Sequence, residues 1–125
     1  MISHIKVLIL NWNGKDLLKP CLDSVIAIDY PNFSVMVIDN GSSDGSLDMI
    51  ADNFPYVEIL SLEKNYGFSG GYNRCLQQLK NEPSEFIMFL NNDTVVDSAI
   101  LNSFIHAKEQ FGDNQIFGAK IYYQD

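Results

Sequence analysis

Four short polar segments carry the residues of this sequence that could do chemistry. Each follows a run of apolar residues and is rich in Asn, Asp, Gly or Ser; the four are 11–14, 39–46, 63–74 and 91–93. Amide and carboxylate side chains hydrogen-bond to polar ligands, and carboxylates are ligands for Mg²⁺. Glycines let backbone amides approach a phosphate closely. The four segments therefore predict a polar binding site, provided that the fold brings them together.

Asp93 is the carboxylate best placed to hold a metal ion. It follows the apolar run Phe86–Leu90, which predicts a strand buried on both faces. Mg²⁺ usually takes one or two protein carboxylates together with substrate phosphates and waters, so a single Asp can suffice. In the structural alternative, Thr94 or Asp97 caps the next helix and Asp93 lies in the turn. We assign Asp97 to the cap, and both roles of Asp93 stay open at this point.

Asp39 also has two explanations. The Asn-Gly turn that follows it, and a helix cap by Ser43 or Asp44, need no ligand. A carboxylate at the end of a strand could equally accept hydrogen bonds from a base imide or a ribose hydroxyl. Chemistry alone does not choose between these two roles.

Three glycines, Gly67, Gly70 and Gly71, stand at the start of a predicted helix. Free amides there suit a phosphate, and Lys64 and Arg74 on either side could neutralise its charge. The alternative is a loose helix start in close contact with a sheet, with both bases solvated. No Gly-Lys-Ser/Thr follows and the spacing is not GxGxxG, so the cluster alone is weak support for a phosphate site.

Strand-like runs alternate with helix-like patterns along the whole chain. The predicted strands are Ile5–Leu10, Val35–Ile38, Val57–Leu62 and Phe86–Leu90, with a fifth of open register at Ile116–Tyr123. The helical stripes between them are Leu18, Cys21, Leu22 and Val25; Leu47, Ile50, Ala51 and Phe54; Phe68, Tyr72, Cys75, Leu76 and Leu79; and Ile100, Leu101, Phe104 and Ile105. This alternation predicts an α/β fold with a mainly parallel sheet and helices on both faces.

A Rossmann-like open sheet with strand order 3-2-1-4 is the arrangement that this pattern favours. Right-handed crossovers place the first two helices on one face and the third on the other. Ligands bind such sheets beyond the carboxyl ends of the strands, where the strand order reverses, here between the first and fourth strands. All four polar segments follow carboxyl ends, so we expect them to meet at this point.

The composition is that of one globular domain, residues 1–125. Apolar residues make up 46% of the chain and charged residues 19%. Sixteen acidic residues against eight basic ones give a formal charge of −8, which argues against nucleic acid as a partner. The apolar runs are strand-sized, too short for a signal peptide or a membrane span, and they predict a cytoplasmic protein.

The cysteines and histidines are expected to be structural. Cys21 and Cys75 fall on helices predicted to cover opposite faces of the sheet, so we expect two buried free thiols and no disulfide. His4 and His106 have no nucleophile near them in the pattern. Trp12 either packs under the first loop or lines the pocket, and the sequence leaves this open.

The succession of the motifs "VLILNWNG", "VIDNGSSDGS", "NYGFSGGYNRCL" and "FLNNDTVVD" resembles the inverting glycosyltransferases of family 2, which have the GT-A fold. The resemblance is to the rhamnosyltransferase-type members and runs from about Lys6 to the C-terminus. It implies the nucleotide-binding half of that fold, with a site for a UDP-, dTDP- or GDP-sugar. It also implies sugar transfer to a hydroxyl of a glycan or lipid-linked acceptor in cell-surface glycan synthesis, in the cytoplasm or peripheral to the inner membrane face.

The resemblance further implies roles for individual residues. Residues 11–13 pack along the nucleotide, Asp39 holds the base or ribose, and 91–93 fall on the DxD-type metal motif for Mg²⁺ or Mn²⁺. The implied donor-binding set is Asn11, Trp12, Asn13, Asp39, Asn65, Gly67, Gly71, Asn73, Asn91 and Asn92, with Asp93 as the metal ligand. Asn91 replaces the first acid of the motif, and one carboxylate attracts a divalent ion less strongly than two.

In that family the acceptor hydroxyl attacks the anomeric carbon, a carboxylate acts as general base, and the nucleoside diphosphate leaves with inversion. The base belongs to the acceptor-binding half, expected beyond residue 125, so the catalytic residue is unknown. We expect this chain to bind nucleotide and to transfer sugar poorly. A half-fold should also expose apolar surface, which predicts self-association.

Two other classes of protein share part of this pattern. A non-catalytic nucleotide-binding or interaction module derived from the same fold stays open. A signalling receiver domain needs a phosphorylatable Asp after the third strand and a Lys after the fifth. Here the third strand ends in Ser61-Leu62 and Lys120 lies within the fifth segment, so the receiver class is disfavoured.

Overall fold

The computed structural model describes residues 1–123 as four strands and four α-helices in alternation. In chain order they are β1 (Ile5–Asn11), α1 (Lys15–Ile26), β2 (Phe33–Asp39), α2 (Ser46–Asn53), β3 (Glu58–Ser61), α3 (Gly67–Gln78), β4 (Phe86–Asn91) and α4 (Ile100–Phe111). A single 3₁₀ turn, Leu79–Asn81, follows α3. No helix within residues 1–123 is long and apolar enough to cross a membrane.

The four strands form one parallel sheet in the order β3-β2-β1-β4, which confirms the predicted topology. In the register of the sheet Asn11 lies beside Asp39, and Leu10 lies beside Asn91. The carboxyl ends of β1, β2 and β4 are therefore level with one another. This alignment places the predicted polar segments at one edge of the sheet.

Apolar layers cover both faces of the sheet, as predicted. On one face α1, α2 and α4 pack against alternate residues of the strands, with Val7, Ile9 and Val37 fully buried. On the other face α3 packs against Leu8 and Ile38. The predicted stripe of α1 is buried throughout: Leu18, Cys21, Leu22 and Val25.

The two cysteines lie in different layers, Cys21 with α1 and Cys75 with α3, and both are free and buried. Burial raises the pKa of each thiol to about 11. They are therefore protonated at neutral pH and act as small apolar side chains, as predicted.

β4 is buried on one face only, so the prediction of a strand buried on both faces is wrong. Phe86, Met88 and Leu90 pack against the core. Ile87 and Phe89 point to the other face and are 41% and 53% exposed. The reason is positional: β4 is an edge strand, and α3 reaches it only through Tyr72, whose ring meets that of Phe89 edge-to-face at 4.9 Å between centroids and leaves the rest of this face open.

The predicted fifth strand is also wrong, because residues 115–123 form no regular structure. The apolar side chains of this segment lie in solvent, and Ile116 and Tyr123 are about fully exposed, at 102% and 97%. An extended segment becomes a strand only when it pairs with another, and within residues 1–123 this one has no partner strand.

The buried face of α2 differs by one position from the predicted stripe. Ile50 and Phe54 are buried as predicted, but Met49 takes the place of Ala51, which is exposed. The helix begins only at Ser46, after Gly45 in the left-handed conformation, and its buried residues are Ser46, Met49 and Ile50.

Candidate donor-binding site

The polar segments meet beyond the carboxyl ends of β1, β2 and β4, at the reversal of strand order. At this edge Asn11 ends β1, Asp39 ends β2 and Asn91 ends β4. The start of α3 joins them through a contact with Asn40. The fold thus brings together the four segments that the sequence singled out.

Asp39 and Asn11 lie beneath the surface of this edge, and both are 0% exposed. One carboxylate oxygen of Asp39 accepts a hydrogen bond from Asn11 Nδ2 at 3.1 Å. The other accepts the backbone N–H of Ser42 at 2.9 Å. Contact between Asp39 and a base or ribose stays a prediction.

Asn92 extends this network to β4. Its Nδ2 donates to Asn11 Oδ1 at 3.0 Å. Gly14 lies against this hydrogen bond, because a Cβ there would be 2.5 Å from Asn92 Nδ2 and 2.8 Å from Asn11 Oδ1. The sequence placed Gly14 in the polar segment 11–14 but gave no sign that it makes room for this hydrogen bond.

Trp12 and Asn13 form the exposed rim of the first loop. Trp12 is 55% exposed, so it does not pack under the loop and its ring is available to a ligand. Asn13 has φ of +47°, an uncommon value for a residue other than glycine. Its backbone N–H donates to Ser42 Oγ at 2.9 Å, and its side-chain oxygen accepts the N–H of Ser43 at 2.8 Å. These two bonds hold the first loop against the second.

Asn40 ties the end of β2 to the start of α3, a role that the sequence did not indicate beyond a turn. It is 2% exposed. Its Oδ1 accepts the N–H of Tyr66 and its Nδ2 donates to the carbonyl of Gly67, both at 3.0 Å. Gly71 permits the close approach, since a Cβ there would be 2.6 Å from a methyl of Leu10.

The remaining predicted donor residues, Asn65, Gly67 and Asn73, lie exposed near the start of α3. Asn65 Oδ1 accepts the N–H of Gly67 at 2.8 Å, so part of its role is to shape the turn. Gly67 has φ of +76°, which explains the glycine there on conformational grounds alone. Their contact with a donor stays a prediction.

Lys64 and Arg74 converge on the ring of Tyr66. The Arg74 guanidinium carbon lies 3.4 Å from the ring centroid, and the Lys64 ammonium nitrogen lies 5.1 Å from it. Such stacking orders two cations beside the start of α3. The Tyr66 hydroxyl donates to the carboxylate of Glu63, so the cluster holds two cations and one anion next to the predicted site.

Asn91 and Asp93 project their side chains outward from the end of β4, where both are exposed. A turn follows in which Thr94 Oγ1 donates to the carbonyl of Asn91 at 2.8 Å. No group of three or more His, Cys, Asp or Glu side chains within residues 1–123 could hold a metal ion. Asp93 therefore fits a divalent ion only as one carboxylate among oxygens supplied mainly by a substrate.

Asp97 shapes the turn before α4, but its assignment to the cap of that helix is wrong. Its Oδ1 accepts the N–H of Ala99 at 2.8 Å, in the turn that leads into α4. The cap position itself is Ala99, two residues later than expected.

Asp44 has a larger structural role than the cap considered for it. One oxygen accepts the N–H of Lys15 at the start of α1 at 2.9 Å, and the other accepts the N–H of Ser46 at the start of α2 at 3.0 Å. Burial would raise the pKa of Asp44, but hydrogen bonds from the Ser46 hydroxyl and from both amides lower it. The helix cap position is the neighbouring Gly45.

Comparison with known proteins identifies the class to which this fold and site belong. The model of the family "Glycosyl transferase family 2" matches residues 6–125. The chain belongs to that family.

Individual relatives agree with this assignment. The poly-beta-1,6-N-acetyl-D-glucosamine synthase of Staphylococcus epidermidis is 28% identical over 123 residues, which are 94% of this chain and 28% of the relative. S. aureus TarS 1–349, solved with UDP-GlcNAc, superposes with a TM-score of 0.74 at 24% identity over 86% of this chain and 32% of its own. The mannosyltransferase PcManGT of Pyrobaculum calidifontis, solved with GDP-Man and Mn²⁺, superposes with a TM-score of 0.74 at 19% identity. The match covers 84% of this chain and 32% of PcManGT.

These structural likenesses confirm the GT-A fold predicted from the motifs. The chain spans less than a third of the length of each of these relatives. None of the three is a rhamnosyltransferase by name, so the rhamnosyltransferase-type resemblance stays a prediction.

Proposed function

We propose that this chain binds the donor of an inverting family 2 glycosyltransferase, a nucleoside-diphosphate sugar, at the carboxyl edge of its sheet. The observation that carries the proposal is the convergence of three strand ends and the start of α3 at the reversal point of a family 2 fold. Two structural neighbours solved with UDP-GlcNAc and with GDP-Man support this ligand class.

The exposed residues of the site suggest how a donor would lie. The Trp12 ring is available for stacking on a base or ribose. Lys64 and Arg74, ordered on Tyr66, supply positive charge close to the amides that begin α3. A diphosphate between these cations and Asp93 would meet positive charge on one side and a metal ligand on the other.

A divalent ion is part of this proposal, as Mg²⁺ or Mn²⁺. Asp93 would hold it together with diphosphate oxygens, since the chain offers one exposed carboxylate there and no cluster of three ligands within residues 1–123. When bound, such an ion offsets the charge that develops on the leaving diphosphate. The neighbour PcManGT was solved with Mn²⁺.

The wider reaction rests on the family. We place this donor site in an enzyme that transfers sugar with inversion to a glycan or lipid-linked acceptor during cell-surface glycan synthesis, at the cytoplasmic side of the membrane. A relative that is named as a poly-N-acetylglucosamine synthase supports this setting. The general base stays unassigned among residues 1–123.

Calorimetric titration tests the proposal. UDP, GDP and dTDP are titrated into the protein with and without Mn²⁺ or Mg²⁺. We expect one of them to bind, and the metal to tighten its binding. Asp93→Ala should abolish the metal effect, because it removes the one protein carboxylate of the metal site.

A control variant distinguishes loss of the metal ligand from a general loss of negative charge. Asp52 is an exposed acid near the far end of α2, so Asp52→Ala should leave both binding and the metal effect unchanged. No binding of any of the three nucleotides under any metal condition contradicts the donor-site proposal. Binding that is indifferent to metal and to Asp93 contradicts the metal assignment alone.

The partly exposed face of β4 favours a second function, association with another copy of this chain. Ile87 and Phe89 on β4 and Phe68 on α3 are 41%, 53% and 64% exposed, and the outer edge of β4 has no partner strand within residues 1–123. β4 carries no charged residue or proline that would protect this edge. We propose that two copies pair through their β4 edges, so that Ile87 and Phe89 each gain a cross-strand neighbour from the second copy on the same face of a continuous sheet.

Light scattering coupled to size exclusion tests this association over a range of protein concentrations. We expect a dimer that Phe89→Lys converts to monomer, since a charge in the middle of the paired edges is poorly tolerated. Leu17→Lys changes an equally exposed side chain on α1 and should leave the dimer intact. A monomeric wild type at all concentrations contradicts this second proposal.

A further inference from the structure

The side chains of Asp39, Asn11 and Asn92 are linked by two hydrogen bonds, and the chemistry of Asp39 fixes which group donates in each. An ionised carboxylate only accepts hydrogen bonds, so Asn11 must present its NH₂ group to Asp39. The same NH₂ group lies 3.3 Å from Ser42 Oγ, a second acceptor on that side. Asn11 Oδ1 is therefore turned towards β4.

The direction continues to the third residue. Because Asn11 offers an oxygen, Asn92 must present its own NH₂ group, and the two atoms lie 3.0 Å apart. The Asn92 carbonyl oxygen then faces the opposite way, away from Asn11 and on the same loop as Asp93. No hydrogen bond to that oxygen is formed within residues 1–123, and Asn92 is half-buried.

We propose that Asp39 orients Asn92 through Asn11, so that the Asn92 carbonyl oxygen is presented to the metal and diphosphate region beside Asp93. Asn11 and Asp39 are then positioning residues that act from beneath the surface, in keeping with their complete burial. This inference rests on the proposed donor site for its functional meaning, but the hydrogen-bond direction is a property of the protein alone.

Reversing the direction gives a test. In Asp39→Asn, the Ser42 N–H still requires an oxygen at position 39, so the new NH₂ group faces Asn11. Asn11 and Asn92 can both turn over and satisfy every group, and we expect the thermal midpoint to stay within a few degrees of wild type. The Asn92 NH₂ group would then face outward, and metal-dependent nucleotide binding should weaken.

Asn92→Asp is expected to be harmful although it adds an acid to the metal motif. A carboxylate there would face Asn11 Oδ1, and Asn11 cannot turn over without placing that oxygen against Asp39. Two acceptor oxygens would then face each other with no proton between them, which should lower the thermal midpoint of unfolding by about 5 °C or more. The matched control is Asn91→Asp, the same change one residue earlier on an exposed side chain, which should be tolerated.

The double variant Asp39→Asn/Asn92→Asp decides the proposal. With both ends exchanged, Asn11 turns over, accepts from position 39 and donates to position 92. We expect its midpoint to recover most of the loss seen in Asn92→Asp. A double variant as unstable as Asn92→Asp, or one that also fails to fold, overturns the proposal, as does an Asn92→Asp variant as stable as Asn91→Asp.

A spectroscopic signature complements this cycle. In the wild type the Asn92 NH₂ group lies against Gly14, where a Cβ would be only 2.5 Å from the nitrogen. NMR should therefore show a nuclear Overhauser effect between the Asn92 amide protons and the Gly14 α-protons, and Asp39→Asn should weaken it clearly, because turning the amide over moves the NH₂ group away from Gly14. A signal of unchanged intensity in Asp39→Asn overturns the proposal. Neither experiment needs a ligand, so failure of the donor-site proposal would show separately, as absence of nucleotide binding by the wild type.

Discussion

At the residue scale, two glycines, Gly71 and Gly14, make room for the contacts that hold the site together. A side chain at Gly71 would collide with Leu10, and one at Gly14 would collide with the Asn11–Asn92 hydrogen bond. Neither has a positive φ, so the requirement is for space and not for an unusual backbone conformation. Their role is therefore to let α3 and the first loop approach the strand ends.

Gly71→Ala should destabilise the protein, because its Cβ would lie 2.6 Å from Leu10 Cδ1 and 3.2 Å from Asn40 Nδ2. Forcing extra volume into such a contact costs about 1–3 kcal/mol, which urea unfolding would measure. The control is Gly118→Ala, where a Cβ meets nothing within 4 Å. Equal stability of the two variants would show that α3 can move away freely.

The sequence identified the residue types at the site but not which of them are buried. Asp39 and Asn11 are of residue types that often bind ligands, yet both are 0% exposed and hydrogen-bonded to each other. An Asp that contacts a ligand and an Asp that orders a loop look alike in a single sequence. Only the pairing of β1 with β2, whose residues are 28 positions apart here, reveals the difference.

At the element scale, Asp44 joins the starts of α1 and α2 by accepting backbone N–H groups from Lys15 and Ser46. Asp44→Ala should lower the free energy of unfolding by about 1 kcal/mol, the usual effect of losing a capping acceptor. Because the folded-state pKa lies below the ordinary 3.8, this stability is present above about pH 4 and is lost as pH falls through the folded pKa.

Urea unfolding at pH 7 and at pH 3 measures this effect of Asp44. The difference between wild type and Asp44→Ala should shrink at the lower pH, while Asp52→Ala shows no such change. A difference that grows at low pH would mean that the Asp44 carboxylate is not stabilised by its hydrogen bonds.

Lys6 links β1 to β3 and to the segment ahead of β4, at the opposite end of the sheet from the binding edge. It lies on β1, is 3% exposed, and pairs with Glu58 of β3 at 3.2 Å and with Glu82 ahead of β4 at 2.6 Å. Burial would lower the pKa of Lys6, but its hydrogen bonds to the two carboxylates raise it above 10.5. The sequence did not indicate this, because the partners are 52 and 76 residues away.

Lys6→Met should destabilise the protein by about 1–2 kcal/mol, a value discounted because both glutamates are partly exposed. With a raised folded pKa, the contribution is complete below pH 10.5 and is lost as pH rises through the folded pKa. Urea unfolding measures this: the difference in free energy of unfolding between wild type and Lys6→Met should be smaller above pH 11 than at pH 7. Lys19→Met, which breaks an exposed pair with Asp23, is the control and should change little.

The type and order of the elements were predictable, because hydrophobic periodicity distinguishes strands from helices and the right-handedness of crossover connections restricts the topology. The exposure of side chains on the edge strand could not be predicted. The pattern Phe86–Leu90 is apolar at every position, yet only Phe86, Met88 and Leu90 reach the core, since whether a second layer covers an edge strand depends on distant segments. The segment Ile116–Tyr123 has strand-forming residues but no strand to pair with inside residues 1–123.

At the scale of the whole molecule, the binding edge adjoins the partly exposed face of β4, since Phe89 lies two residues before Asn91 at the end of that strand. The chain spans 28% of its relative from S. epidermidis. No general base is assigned among residues 1–123, so we expect this chain to bind a nucleoside diphosphate while transferring sugar poorly to any acceptor. A product assay with UDP-, GDP- and dTDP-sugars would measure this. Efficient turnover by these 125 residues would contradict the expectation.

The central claim is that a nucleoside diphosphate and a divalent ion bind at the carboxyl edge of the sheet. The most direct measurement is an NMR titration of the ¹⁵N-labelled protein with UDP or GDP, first with Mg²⁺ and then with trace Mn²⁺, whose paramagnetism broadens nearby signals. We predict shifts at Trp12, Asn13 and Gly67, and broadening centred on Asp93. Broadening centred on Glu58 and Glu82 at the opposite end of the sheet, or no shifts with any nucleotide, would contradict it.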